Sequence, residues 1–570
     1  MIRRSIVATG TSRIGSTPGR EAGVHRVTRE VEAQKIRRPT LLAALVLGAA
    51  VLVVPAQAAP GDLDPSFGSG GTVTTDFGDR DRAAAVAIQA DGKILAAGNT
   101  CCSSPGGSDF ALARYNADGS LDTSFGSGGT LTTDIGAFDF ALATAIQPDG
   151  KIVAVGRTGP SGTGDFALAR YNPNGSLDAS FGSAGKVTTD FGGLDVAYGV
   201  AIQPDGKIMV AGGGGTPGDF ALARYNADGS FDTSFGMAGK VTTDFDLGLL
   251  DGAMDVALQS NGRIIAVGFT TIAGSAAFAL ARYNTDGSLD TSFGNGGKVT
   301  TDFGGSDTAF AMAIQPDGMI VVVGTGAGNF GDFTLARYMT DGSLDANFGS
   351  GGKVTTDFVG PDSANAVALQ ANGKIVAAGS RANFRDFALA RYNTDGSLDA
   401  SFGSGGKLTT DFGGQDAAFG VAIQPDGNIV LAGNGGADFD FALARYLGDP
   451  TSTIEVSGHG VFGRNGEGRV SFTLSNEVVT FDRGTQFSFT GEVESVSGEG
   501  KEATLTGTGT WNGQSGYPFT VSVVDNAPWG RNKDTIDAVV HDPTGVIVLT
   551  SYGPQILKQG DISVTPADSG

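Results

Sequence analysis

Apolar and β-branched residues between positions 72 and 446 come in short runs, none with the length or the 3.6-residue period of a helix. Four such runs follow one another in "KVTTDF" from Lys186, "VAYGVAIQ" from Val196, "KIMVAG" from Lys207 and "DFALARYN" from Asp219. Gly, Asp, Asn and Pro separate them, which predicts consecutive strands joined by tight turns. In "QPDGK", between the second and third runs, Pro presets φ and Asp-Gly tolerates the positive φ of a hairpin tip.

The pattern repeats. Aligned on "SFG", its phenylalanine falls at Phe67, Phe125, Phe181, Phe235, Phe293, Phe348 and Phe402, at spacings of 58, 56, 54, 58, 55 and 54 residues. Four antiparallel strands per unit, seven times over, predict an all-β chain whose residues 63–447 form a seven-bladed β-propeller. The strand before the hairpin is rich in Ala, Gly and Val, suited to the crowded innermost position, A. "KIxVAG" then becomes B, "DFALARYN" C, and "KVTTDF" of the following unit the outer strand D. On this reading "TVTTDF", Thr72 to Phe77, has no A, B or C strand before it, and the last unit ends after C at Tyr446 with no D strand after it. The first strand is therefore expected to complete the last blade, removing an open edge that would invite aggregation.

The units "LDTSFGSGGTLTTDIG", "AIQPDGKIVAVG" and "DFALARYNPNGS" resemble the delta-60 repeat of exported bacterial proteins, over about residues 63–447. The resemblance implies a β-propeller in an exported setting and supplies no catalytic residue. From Ser452 the repeat gives way to period-2 runs such as "RVSFTLS" and "EATLTGTGTW", which predict a small β-sandwich over 452–566.

Composition narrows the class. Lys35, Arg37 and Arg38 precede the apolar run Leu41 to Val54, and "PAQAAP" follows with Ala56 and Ala58 as a small-residue cleavage signature, so 1–58 reads as a leader and the remainder as secreted or held at the cell surface. The run is shorter than the roughly 20 residues of a membrane span, so no stable membrane insertion is expected after cleavage. Residues 1–58 carry nine Lys/Arg and three Asp/Glu, so their removal takes the net charge from −22 to −28. A surface this acidic repels nucleic acid, because it has no surplus of cations to displace condensed counterions. The two cysteines, Cys101 and Cys102, are adjacent and make no disulfide framework, though a vicinal disulfide or two free thiols are both open.

Candidate chemistry is sparse. Arg114, Arg170, Arg224, Arg282, Arg337, Arg391 and Arg445 recur in strand C, and Asp76, Asp134, Asp190, Asp244, Asp302, Asp357 and Asp411 in strand D. Six C strands open with Asp, the fourth with Ala277. A residue required in every blade answers a demand shared by every blade, most simply an ion pair within or between blades. Asn116, Asp118, Ser120 and Asp122 of "NADGSLD" loosely suggest calcium, but they lack the spacing and terminal Glu of a calcium loop, so a turn closed by local hydrogen bonds is the expectation. Between Ala59 and Pro450 there is no histidine, which removes Ser-His-Asp and Cys-His catalysis. His459 and His541, and the tryptophans Trp511 and Trp529, lie in the C-terminal region, and an exposed tryptophan there would suit a sugar ring. No residue is singled out as catalytic, cofactor-binding or metal-binding. The A–B and C–D turns are nearly invariant, whereas the B–C and D–A loops differ in every blade, and these share the opposite face. The expected function is a non-enzymatic binding scaffold that recognises a protein or glycan through that face. The alternative is a polysaccharide lyase or hydrolase using carboxylates at the channel mouth.

Overall fold

A computed structural model describes residues 59–449 apart from a few loop positions, together with the backbone of the strands between 454 and 566. The predicted leader, 1–58, lies outside the described residues, as do Cys102 and Trp529. No helix among the described residues is long and apolar enough to cross a membrane.

Seven four-stranded antiparallel sheets follow the A-B-C-D order read from the repeat. Blade 1, for example, is Arg80–Ile88, Ile94–Cys101, Phe110–Tyr115 and Thr130–Thr133. Blade 7 is Ala417–Ile423, Ile429–Gly435, Asp440–Tyr446 and, from the other end of the chain, Thr72–Thr75. Thr72 pairs with Ala444 and Thr75 with Phe441, which closes the ring as the sequence predicts. Strands B and C are buried almost throughout, because neighbouring blades cover both of their faces; that is why they read as apolar runs without alternation.

Two hydrogen-bonding systems repeat around the ring. Each C-strand tyrosine is bonded to a D-strand threonine of the preceding blade, from Tyr115 with Thr75 at 2.8 Å to Tyr446 with Thr410 at 2.7 Å. The C-strand arginines take a partner that the sequence did not suggest. Arg170 Nε donates to Asp178 Oδ2 at 2.9 Å, and the other six repeat this with Asp232, Asp290, Asp345, Asp399, Asp122 and, for Arg445, Asp64. These aspartates belong to the turn before "SFG", not to strand D. Each guanidinium also lies over the "SFG" phenylalanine, 4.3 to 4.7 Å from its centroid, as with Arg391 over Phe402 and Arg445 over Phe67. Arg224 Nη1 donates across the blade boundary to the carbonyl of Thr285 at 2.6 Å. The expected ion pair is thus within the blade, and the inter-blade link is a hydrogen bond to backbone. Burial pushes the Asp178 carboxyl up, but the Ser180 hydroxyl and N–H, Lys151 and Arg170 outweigh it and hold it well below the usual carboxylate range.

The strands beyond Ile454 join one ten-stranded antiparallel sheet, in chain order except that Gln559–Pro566 returns beside Ile454–Phe462. This meander keeps the all-β character expected there, without separating the two layers of the expected sandwich. His459, His541 and Trp511 stand on its strands.

Candidate functional site

Every inner strand carries the same irregularity. Its pairing with strand B skips one residue, at Ala84, Leu142, Tyr198, Met254, Phe310, Asn365 and Phe419 in blades 1 to 7. A residue left unpaired in this way is a β-bulge, which re-aims its side chain. All seven line a single cavity of about 430 Å³ along the axis of the ring.

The bulge explains the glycine of "VAG" on strand B. That glycine pairs with the residue just before the bulge, Ala141 with Gly156 for instance. A Cβ on Gly156 would lie 1.7 Å from the Phe140 carbonyl oxygen, and the other six blades place a backbone oxygen within 1.9 Å in the same way. Strand B therefore repeats glycine at every turn of the ring, while the bulge side chain opposite is free to differ. It does differ: one alanine, one leucine, one methionine, one asparagine and three aromatics.

Two charged residues break the repeat inside the channel. Asp255 stands one position after its bulge, where the other blades have Ala85, Ala143, Gly199, Ala311, Ala366 and Gly420. It accepts the N–H of Val256 at 2.8 Å and of Met312 in the next blade at 2.9 Å. Burial nevertheless raises its carboxyl to about 6. Arg82 lies near the entrance, over the ring of Phe419 at 3.6 Å, accessible to channel water yet surrounded by protein, and this enclosure lowers it to about 10. Tyr198 lies near Arg82 and Arg157; burial raises its hydroxyl, and the two cations offset that only in part. A second cavity of about 350 Å³ shares Arg82 and Phe419 with the channel and reaches outward to Arg80, Asn99, Phe140, Gln415, Asn434 and Phe439.

This entrance opens on the variable face. The D–A and B–C loops meet there between blades, Asp139 N–H donating to the Ser108 carbonyl at 2.7 Å. Of the eight exposed large apolar residues among the described residues, five are on these loops, Phe138, Leu194, Leu249, Leu250 and Val359, and Ile272 ends a strand B beside one. The opposite face holds the A–B and C–D turns, tied together by pairs such as Lys93 with Asp122 at 3.1 Å.

The remaining candidates from the sequence have structural partners. Asp118 Oδ1 accepts from the N–H and hydroxyl of Ser120 at 2.9 and 2.6 Å, and Asn116 Nδ2 donates to Ser120 Oγ at 3.0 Å, which is the locally closed turn expected. Five of the strand-D aspartates, Asp76, Asp190, Asp302, Asp357 and Asp411, cap their own turn, as Asp190 Oδ1 does toward Gly192 N–H at 2.6 Å. Strand-D aspartates also gather with the Asp that opens strand C and a buried Asp of the D–A loop: Asp165, Asp190 and Asp195 each bring a carboxylate oxygen within 4.8 Å of the others. Burial, then the charges of Asp190 and Asp195, raises Asp165. The loop aspartate of "DFGGLD" belongs to the repeat but does not stand out in the sequence beside the aspartates of strands C and D.

Six stretches match the family model described as domain of unknown function (DUF5122) beta-propeller: 89–125, 147–181, 203–235, 259–293, 315–348 and 370–402. Each ends on one of the "SFG" phenylalanines. Comparison with curated proteins finds no match. Among solved structures, the chain is similar to an extracellular domain assigned to a hybrid two-component system of B. thetaiotaomicron, at 12% identity and a TM-score of 0.39, over 84% of this chain and 53% of that one. The chain thus spans about half the length of that protein. A PL25 ulvan lyase is similar at 14% identity and a TM-score of 0.41, over 66% of this chain and 96% of that one. The β-propeller domain of the Trilobed protease from Pyrococcus furiosus is similar at 10% identity and 0.36, over 66% and 95%.

Proposed function

We propose that the chain is an exported binding propeller whose ligand enters the axial channel from the variable face. One observation carries this reading. Seven bulges, kept in place by seven invariant glycines, turn seven side chains that are not repeated into one water-accessible mouth. A packed scaffold has no need to vary at one inner position while holding its neighbours constant, whereas a recognition site does. The half-buried aromatic side chains of Tyr198, Phe310 and Phe419 offer flat apolar surface beside polar edges, which suits a glycan better than a wholly apolar ligand.

Binding is proposed in preference to catalysis on two grounds. The channel wall brings in one carboxylate, Asp255, where a lyase or hydrolase of the paired-carboxylate kind needs two from different blades. Tyr198 is held above its ordinary pKa, the opposite of what an activated base requires. The test is a glycan array probed with the purified protein and with Tyr198→Ala and Phe419→Ala, whose new residue already stands at the blade 1 bulge. Hits that both variants lose support the reading. Hits that neither loses place the ligand elsewhere and overturn it.

A further inference from the structure

The chain has an excess of acidic residues, and nine of the thirteen arginines described between residues 59 and 449 are paired with them. All seven C-strand arginines pair with aspartate, and so do Arg263, with Asp290 at 3.1 Å, and Arg381, with Asp386. Arg80, Arg82 and Arg157 differ. Among the described residues none of the three has a carboxylate within ion-pair distance. Each instead rests on an aromatic ring: Arg80 on Phe439 at 5.0 Å, Arg82 on Phe419 at 3.6 Å and Arg157 on Phe140 at 4.6 Å.

They are also gathered in one place. Arg80 and Arg82 begin the inner strand of blade 1, and Arg157 ends strand B of blade 2, directly opposite Phe140 in the pairing. Arg82 lines both the channel and the outer cavity, Arg80 and Phe140 line the outer one, and Tyr198 of blade 3 stands close enough to Arg82 and Arg157 to feel both charges. The acidic groups on the same walls are turned to backbone: Asp81 accepts the Phe77 N–H at 2.5 Å, and Asp255, three blades from Arg82, accepts those of Val256 and Met312. A guanidinium stacked on an aromatic ring, with no carboxylate among the described residues in ion-pair distance, keeps its N–H donors open to an anion arriving from the channel.

We infer that the mouth between blades 1 and 3 is a subsite for a carboxylate-bearing saccharide, its carboxylate taken by Arg82 with Arg157 alongside and its sugar ring laid against Tyr198. This rests on the channel mouth being the ligand site. The planar guanidinium matches a carboxylate in two parallel hydrogen bonds, and its seat on Phe419 fixes its orientation beforehand. A cavity of about 430 Å³ leaves room for a short oligosaccharide.

The experiment is titration calorimetry of the full protein with trimers of galacturonate, glucuronate and mannuronate, each beside its methyl ester. At least one acid is expected to bind ten-fold or more tightly than its ester, and to weaken as salt rises. Arg82→Gln should lower that affinity at least ten-fold and bring the acid within about two-fold of its ester, while circular dichroism still shows the folded ring, the loss to stability being limited to the cation–π seat on Phe419. Arg82→Lys should rescue it only in part. If no acid binds better than its ester, the carboxylate subsite is overturned. Should array hits on neutral glycans still disappear in Tyr198→Ala, the channel-mouth reading stands without it; if no hit depends on Tyr198, both fall together.

Discussion

On the face of the A–B and C–D turns, all seven blades repeat the same Arg–Asp pair and the same phenylalanine beneath it, with only the terminal partner, Asp64, arriving from elsewhere in the chain. On the face of the D–A and B–C loops the backbone is just as regular down to the bulge, yet the side chains it presents are Tyr198, Met254, Phe310, Asn365 and Phe419, with Arg82 among them. The contrast separates two kinds of constraint. A demand met by packing recurs in every blade because every blade has the same neighbours, whereas recognition of a ligand lacking seven-fold symmetry has to break the pattern. On the proposed binding reading, departure from the repeat is a better guide to function than adherence to it.

Breaking the repeated face should cost most where the ring closes. A chain beginning at Gly78 lacks Thr72–Thr75 and Asp64, leaving the outer edge of strand C of blade 7 open and Arg445 without its carboxylate. Chemical denaturation should show a loss of several kcal/mol or an outright failure to fold. Next comes Arg391→Ala. Arg391 is fully buried and holds both Asp399 and Asp449, so its removal strands charge and should cost about 3–5 kcal/mol by the same measurement.

The variable face should respond in the other direction. Asp255→Ala restores the residue that blades 1, 2, 5 and 6 already have, and should stabilise by about 2 kcal/mol at neutral pH. The sign follows from the raised carboxyl: near pH 4 and below, the folded wild type binds the proton as readily as the unfolded chain or more so, and stability is lost as pH rises through about 6. Thermal melts of wild type and variant should therefore differ at pH 7 and converge near pH 4. The Arg-bound aspartates have the opposite sign, since their depressed carboxyls contribute stability above the unfolded value of 3.8 that disappears as pH falls below it, in both proteins alike. Tyr338→Phe leaves Thr301 without its partner and should cost about 1 kcal/mol. Tyr198→Ala, which truncates a half-buried ring facing the channel, should cost about 1 kcal/mol or less, while removing ligand binding.

How far this was legible in the sequence follows the same division. The strand order, the number of blades and the strand exchange at closure could all be read, because "SFG", "PDGK" and "DFALARY" recur in register and count themselves. The partner of Arg170 was not evident: Asp178 is only eight residues on, across a turn, and the repeated Asp190 of strand D drew attention as an equally regular carboxylate. The channel mouth was harder still. A bulge leaves no composition of its own, and its trace is the pairing of "VAG" with a large or polar residue flanked by small ones, as in "VAYGVAI", "TAFAMAI" and "SANAVAL". Arg82 and Asp255 then look like loop drift until the strands bring them to one cavity.

The borrowed strand has one more implication. Since every sequence unit gives its opening ribbon to the sheet before it, copying or deleting a whole unit in the interior would leave Thr72–Thr75 and Asp440–Tyr446 still facing each other. The same seam would then close a ring with a changed number of units, and the width of the central opening would change by gene duplication alone.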